Sequence, residues 1–589
     1  MPSKSTPVTV NVDDAHLVIR SRSDNAGQID DIVLDYDDIV GCQMLADQRS
    51  NDACAYFHIH AYPLSPTGAS KGLTHLCQRH IYTLQVDESA DSHEQNVLIA
   101  RGIVTSVCER LRVTPPPHKH SQPEPVASNL FRLRKRRLIV LINPYSGPGK
   151  AMQIYETHVE PILAQADCEM EVLVTERRHH AQEYVSTMNI DAFDGLIIVS
   201  GDGLVHEVLN GLMERSDFER ALKMPLGFVP GGSGNAAAAA VMHQCRQPYK
   251  VGEFAMAMSA IIARPIYVPM RLVHIETPHR HLAGFLSISF GLIADIDIES
   301  EKFRTSLGGA RFVLYGYLRT MSLRSYRCRL SYLPADKKLP PELFTSAGIS
   351  TKDYVPNGLG KMLNGHDNHA LNGEGDQLQW EEIKLDSNAN NTHEPSRPKS
   401  GSPPVKKTKR RAPKPPMTGS KQGVENGSLE LKDDVSRKRA GTAEGNRWRQ
   451  KYSEIIKDQI PTLDEPVPSS WTVLEDDFVC VLAVFCSHIQ EQAPLLPWMN
   501  LDDPHIYLTL IPASVATRYQ VAKFLLALDE GKHLMVPAVQ VVPCKAFRLE
   551  PIGNSGRVVV DGELINEVPI QAAVTEHRAT VCARNEPKK

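Results

Sequence analysis

Three glycine-rich turns, each standing where an apolar run ends and a helical pattern begins, constrain this chain more than any other feature. Asn143-Pro144-Tyr145-Ser146-Gly147-Pro148-Gly149-Lys150 follows the run Leu138 to Ile142. Ser200-Gly201-Asp202-Gly203-Leu204 closes the run Leu196 to Ser200, and Pro230-Gly231-Gly232-Ser233-Gly234-Asn235 follows Leu226 to Val229. With a fourth run, Glu171 to Thr175, the alternation of strands and helices predicts a parallel α/β sheet. Open sheets of that kind bind ligands beyond the carboxyl ends of their strands. Glycines let the backbone turn tightly and approach a ligand, and the N–H groups opening the next helix favour phosphate. The first turn is not a Walker loop, because Lys150 is followed by Ala151 and not by a magnesium-binding Ser or Thr. Singly, each is an ordinary strand–helix connection. Three on one sheet edge describe a nucleotide triphosphate site. Asp202, between two glycines, can take a proton from a substrate hydroxyl, hold a metal, or simply cap its helix.

Composition narrows the rest. A chain of 589 residues corresponds to roughly three or four domains at ~100–200 residues each. Its 42% hydrophobic and 23% charged content is that of an ordinary globular protein. A net charge of −4 excludes a generally polybasic nucleic-acid binder, and no nucleic-acid partner is expected. Eleven scattered cysteines without a C-x-x-C pair argue against a disulfide scaffold or zinc ribbon and fit a reducing compartment. Among 23 histidines no H-E-x-x-H occurs, so no zinc site is expected. Met1 to Asp14 lacks the basic-then-apolar order of a secretory signal, and no run reaches the ~18 apolar residues of a membrane span. The expectation is a soluble intracellular protein.

Along the chain, residues 1–125 read as a β-rich module. Short strands (Val8 to Val12, His16 to Arg20, Ile29 to Leu34, Ala55 to His60, His80 to Gln85) precede a helix carrying Val97, Ala100, Val104, Val107 and Leu111 on one face. That order resembles a pleckstrin-homology-like module, and a scaffold extension is the other reading. After the Pro115–Pro117 linker, residues 131–265 form the α/β domain. Residues 266–334 and 470–585 return to strand-like runs and read as one β domain in two parts. Between them, 335–469 lacks apolar periodicity and is expected to be disordered. It carries nine Lys or Arg, six Pro and no Asp or Glu from Arg397 to Lys421, which reads as a solvated linker, an anionic-lipid or SH3 ligand, or a nuclear-import signal. Arg311 to Arg329 predicts a basic amphipathic helix with Leu314, Tyr317, Leu318 and Met321 on one face. Such a helix can gate a bilayer surface, sit half-buried, or serve a calmodulin-type partner.

The glycine loops resemble those of the diacylglycerol-kinase-like catalytic fold, and within it the sphingosine kinases. The similarity extends through Val205-His206-Glu207 and Asn210 to Arg215, through Thr175-Glu176-Arg177-Arg178-His179-His180-Ala181, and through Gly291 to Arg304. It closes with Ala546 to Pro551 and Val560-Asp561-Gly562-Glu563-Leu564. The resemblance implies a second, antiparallel β-sandwich-like lipid-binding domain, with ATP in the cleft between the two. Asp202 would be the base for the lipid's primary hydroxyl, within a lipid-facing turn Ser200, Gly201, Asp202, Gly203. Asn143 to Gly147, Thr175 to His179, Glu207 and Gly232 to Gly234 would line the ATP site. Arg304 and Arg311 would reach its phosphates, although one residue more than in the family pattern separates them. Asp561, Gly562 and Glu563 would close the nucleotide site, with Asp561 near Mg2+ through water. Asp297 would bind the head group of a long-chain sphingoid base: a carboxylate selects the protonated amine that ceramide and diacylglycerol lack. The implied activity is phosphoryl transfer from Mg-ATP to sphingosine or a related base. The alternatives are a ceramide or diacylglycerol kinase, or an inactive membrane adaptor. Cytoplasmic residence with transient membrane contact is expected, and the basic run offers a route to the nucleus.

Overall fold

The computed structural model describes residues 8–13, 16–21, 31–45, 54–67, 74–86, 92–119, 135–248, 250–336, 339, 447–452, 454, 456–553 and 556–586. These belong to one compact unit spanning 1–353 and 435–589, while the other unit, Tyr354–Asp434, lies wholly outside them. The expected disorder of the insertion, with its basic run, therefore falls outside the described residues up to 446.

In the N-terminal module β1 (Val8–Val12), β2 (His16–Ser21) and β3 (Ile32–Asp35) form one antiparallel sheet. A second sheet joins β4 (Ile39–Met44) and β5 (Ala55–Ala61) to the later strand His80–Val86. The short strands β6 (Leu64–Pro66) and β7 (His75–Cys77) precede that strand, which is β8. Helix α1 (His93–Arg110), capped by Ser92, lays Ala100 and Val107 into a core with Leu17, Ile39, Phe57 and Ile59. The module sits on the α/β domain. Tyr62 donates to Gln165 Oε1 (2.7 Å), Arg264 to the Val40 carbonyl (2.7 Å) and Arg584 to Asp38 (2.6 Å). At Gly41 a Cβ would lie 1.9 Å from the Gln165 carbonyl oxygen, so only glycine allows this approach.

The α/β domain is the parallel sheet that the alternation predicts. Strands β9 (Arg136–Ile142), β10 (Cys168–Val174), β11 (Gly195–Ser200) and β12 (Leu226–Pro230) stand in the order β10-β9-β11-β12. Val, Ile and Leu on both faces of β9 and β11 are buried, as strands covered on both sides require. The connecting helices are α2 (Ala151–Ile154), α3 (Glu160–Gln165), α4 (His180–Thr187), α5 (Asp202–Glu214), α6 (Phe218–Ala221), α7 (Ala236–Gln244) and α8 (Phe254–Ala263). The two-residue strand β13 (Val251–Gly252) pairs with β7 of the N-terminal module.

The antiparallel part comprises β14 (Ile266–Glu276), β15 (His281–Gly284), β16 (Ser287–Gly291), β17 (Tyr326–Pro334), β18 (Thr472–Val484), β19 (His488–Gln490), β20 (Ala493–Pro494), β21 (Ile506–Pro512), β22 (Gln540–Pro551), β23 (Val558–Val560), β24 (Glu563–Ile565) and β25 (Ile570–Ala583). It is not detached from the parallel sheet, because β25 pairs with β12 as well as with β14 and β22. The long strands β18 and β22 each change partner midway. Both pair with β17 along one half and with β21 along the other, so these strands turn a corner.

Three sequence expectations change. Gly291, at φ +83, ends β16, and the chain then forms α9 (Leu292–Ser300), not one of the strand-like runs expected across residues 266–334. Burial of Leu292, Ala294, Asp295 and Ile296 overrides the β-propensity of the isoleucines. After α10 (Arg304–Leu307), the basic amphipathic helix is only α11 (Ala310–Met321), because Arg324 lies in the following turn and Arg327 and Arg329 on β17. The insertion also ends early, for residues 447–469 pack onto the core. Trp448 is fully buried, stacked on His274 at 4.9 Å, and Arg449 pairs with Glu276 (3.0 Å). A last helix, α12 (Arg518–Leu526), starts with a capping box between Thr517 and Gln520. That Thr-x-x-Gln pattern was the available sequence signal for it. Among the described residues no helix is long and apolar enough to cross a membrane.

Candidate functional site

The three glycine turns meet because they have no side chains in the way. A Cβ on Gly232 would lie 2.4 Å from Gly201 Cα, and one on Gly147, at φ +51, would lie 2.8 Å from the Gly232 carbonyl carbon. Ser146 Oγ accepts the Gly201 N–H (3.0 Å) and bonds the Ser200 hydroxyl (3.1 Å), fixing the first turn to the second. Asn143 Oδ1 accepts the Tyr145 N–H (3.0 Å), an Asx turn that bends the first loop. In the second strand's loop the Thr175 N–H reaches the Ile142 carbonyl (2.8 Å), and the His179 N–H donates to Glu207 Oε1 (3.0 Å). Glu207 Oε2 is buried without a hydrogen-bond partner among the described residues, and Glu207 lines the cleft. A hydroxyl or amino group of a ligand would satisfy it.

Asp202 is the first residue of α5. Its two carboxylate oxygens accept the N–H groups of Ala236 and Ala237 (2.9 Å each), which open α7. Burial nevertheless raises its pKa above the ordinary carboxylate value; the two N–H bonds oppose the rise and the charge of Asp561 adds to it. The carboxylate thus stands at the N-termini of two helices, on the wall of a cleft of about 1070 Å3.

The opposite wall comes from the antiparallel part. Asp561 (φ +49) and Gly562 (φ +87) make the turn between β23 and β24, and Glu563 pairs with Arg178 from the other wall. Arg177 instead turns to its neighbour Glu183. On α9, Asp297 lines the cleft 3.6 Å from the Arg311 guanidinium, which also pairs with Glu301 (2.5 Å). Helix α9 is held from behind: Asp295 accepts from Tyr326 Oη and Arg557 (3.2 Å), and Glu299 pairs with Arg319 and Arg557. Apolar side chains, Ile293, Ile296, Val313 and Leu525 among them, line the end of the cleft beside α11.

Most of the expected residues therefore share one cavity: Asn143, Tyr145 to Gly147, Thr175, Arg177, Arg178, Ser200 to Gly203, Glu207, Gly232 to Gly234, Asp297, Arg311 and Asp561 to Glu563. Pro144, Glu176 and His179 do not line it, and the Arg304 side chain lies outside the described residues. The metal role expected of Asp561 does not fit its surroundings. Its carboxylate is fully buried and accepts four bonds, from the N–H groups of Phe285 (3.2 Å), Leu286 (2.9 Å) and Ser287 (3.0 Å) and from His206 Nδ1 (3.0 Å). With every lone pair engaged, Asp561 ties α5 to the start of β16 and has none left for an ion or its water. Among the described residues no cluster of three or more His, Cys, Asp or Glu could hold a metal. The sequence reading missed Ile489, Gln490 and the α12 residues Tyr519, Ala522 and Leu525, all of which line the cleft.

Comparison with known proteins agrees with this geometry. Residues 137–266 match the diacylglycerol kinase catalytic domain family. Human sphingosine kinase 2 is 31% identical over 571 residues, covering 91% of this chain and 82% of that protein. Human sphingosine kinase 1 is 31% identical over 446 residues, covering 75% and 89%. Sphingoid long chain base kinase 4 of Schizosaccharomyces pombe is 36% identical over 197 residues, covering 33% and 41%. The match to human sphingosine kinase 2 covers 91% of this chain and 82% of that protein, far beyond the catalytic-domain match of residues 137–266, and on that ground the chain belongs to the sphingosine kinase family.

Proposed function

We propose that this protein transfers the γ-phosphoryl group of Mg-ATP to the primary hydroxyl of sphingosine or a related long-chain base. The observation that carries this is the position of Asp202, at the junction of three glycine turns and two helix N-termini, in a cleft that continues to Asp297 and an apolar wall. Backbone N–H groups and glycine carbons can receive phosphates there. Asp202 accepts the hydroxyl proton, and Arg304 and Arg311 neutralise charge developing on the transferred group. Asp297 receives the amine, for which it exchanges part of its pairing with Arg311. Glu207, Glu563 and the Thr175 to His179 loop hold the nucleoside end. Magnesium enters with the nucleotide as part of the donor substrate, and no step is assigned to a protein-held ion.

The domain reading follows: an N-terminal, pleckstrin-homology-like module, a nucleotide domain, and a sandwich-like lipid domain interrupted by the insertion. Exposed Val313 (70%), Tyr317 (66%) and Met321 on α11, with Tyr519 and Leu526 (77%) on α12, rim the lipid end of the cleft. They support uptake of the lipid from a bilayer surface by peripheral contact.

The test is transfer of labelled phosphate from ATP to sphingosine, ceramide and diacylglycerol by wild type, Asp202→Asn and Asp297→Asn. Transfer to sphingosine alone is expected, with kcat reduced about 10²–10⁴-fold in Asp202→Asn and the sphingosine KM raised in Asp297→Asn. Transfer to ceramide would overturn the role of Asp297. Nucleotide binding without transfer to any lipid would favour an inactive adaptor.

A further inference from the structure

A side chain outside the expected site reaches its centre. Glu491 occupies the turn between β19 and β20, in the antiparallel part of the molecule, and its neighbours Ile489 and Gln490 line the cleft. The Glu491 N–H donates to the Gly234 carbonyl (2.7 Å), and its Oε2 accepts from Asn235 Nδ2 (3.1 Å). Asn235 in turn shapes the third glycine turn. It is buried, adopts φ +60, accepts the Gly232 N–H on Oδ1 (2.9 Å) and donates from Nδ2 to the Gly232 carbonyl (3.1 Å). Gly232 is the contact point of all three turns, and the next two N–H groups, of Ala236 and Ala237, hold Asp202. One carboxyl group thus fixes the orientation of the amide on which the turn is built. Glu491 binds the turn through its backbone N–H as well, so the contact is doubly made. Burial raises the Glu491 pKa, and the hydrogen bond from Asn235 opposes the rise.

We propose that Glu491 is a positioning residue for the nucleotide phosphates, holding the Gly232–Asn235 turn in its receiving shape and joining it to the Ile489–Gln490 wall. The assignment rests on the reading of the cleft as the ATP site. Glu491 itself does not line the cleft, and nothing in the glycine-loop sequence announces it. Its effect is on the donor side: its two hydrogen bonds go to Gly234 and Asn235, whereas Asp297 hangs on α9.

The experiment measures direct ATP binding and steady-state kinetics for wild type, Glu491→Ala, Glu491→Asp and Glu491→Gln, with thermal unfolding of each. Glu491→Ala is expected to raise the ATP Kd and KM about tenfold, the effect of losing one hydrogen bond of this kind. The sphingosine KM stays within about twofold of wild type. Glu491→Asp, one methylene too short to reach Asn235, behaves like the alanine variant and serves should that one fail to fold. Glu491→Gln keeps an acceptor for Asn235 and restores ATP binding. Unchanged ATP affinity in Glu491→Ala and Glu491→Asp would overturn the proposal, as would equal rises in both KM values that Glu491→Gln fails to restore. A wild-type protein that binds no ATP would instead overturn the reading of the cleft on which the proposal rests.

Discussion

Asp202 is held by two backbone N–H groups, yet burial outweighs those bonds and raises its pKa. A base works only when deprotonated, so a raised pKa moves loss of activity to higher pH than an ordinary aspartate at ~4 would. The expected kcat/KM profile falls with one proton as pH is lowered, at a higher pH than an unperturbed aspartate would give, while ATP binding persists. A profile flat to pH 4.5 would contradict the assignment. Residues of this kind were legible in the sequence where sterics dictated them. Gly147 and Gly232 could not carry a side chain where the turns touch, and that necessity is written as glycine. Asp561 was legible as a site residue but not in its bonding. Three of its four partners are backbone N–H groups some 275 positions away, which no local pattern encodes. Glu491 was invisible for the same reason: its contact with Asn235 spans 256 positions.

Elements were legible where periodicity and burial agreed. The four parallel strands and the strands of the N-terminal module carry apolar runs or alternation, and the structure begins and ends most of them within a residue or two of the pattern. Helix α9 shows where they disagree, since it falls among strand-like runs while Gly291 turns the chain and buries Asp295 in a helix. That helix presents Asp297 on the cleft side and is anchored behind by Asp295, which bonds the Tyr326 hydroxyl and Arg557. Asp295→Ala leaves both donors without that acceptor, a loss of about 1–3 kcal/mol. Denaturant unfolding checks that figure. The kinetics should show a raised sphingosine KM, because α9 carries the head-group carboxylate, with the ATP KM little changed. Tyr326→Phe removes one of the two bonds and should give a smaller effect in the same direction. Equal changes in both KM values would mean that α9 supports the whole cleft.

At the scale of the molecule the insertion returns to the fold as a strap. Arg447 donates to the Met213 carbonyl at the last turn of α5 (2.7 Å), where a cation suits the helix end. Trp448 stacks on His274 and meets His577 edge-on, and Tyr452 hydrogen-bonds His274 Nδ1 (2.6 Å). Downstream, Arg548 grips the carbonyls of Thr462 (2.8 Å) and Glu465 (2.7 Å), and Trp471 donates to Gln459 (2.9 Å). The sequence places the boundary of the insertion at 469 because these residues lack apolar periodicity, whereas two aromatic side chains decide where they go. The strap joins β14, β25 and the far end of the helix whose first residue is Asp202. Trp448→Ala should lower stability by about 3–5 kcal/mol, the loss of a fully buried indole, measured as a shift in denaturant midpoint at unchanged slope. Trp448 lies outside the cleft lining, so the surviving folded fraction should keep its ATP KM. A loss under about 1 kcal/mol would mean that 447–469 rests on the surface without holding it. A raised ATP KM would mean that the strap transmits its position along α5 to Asp202.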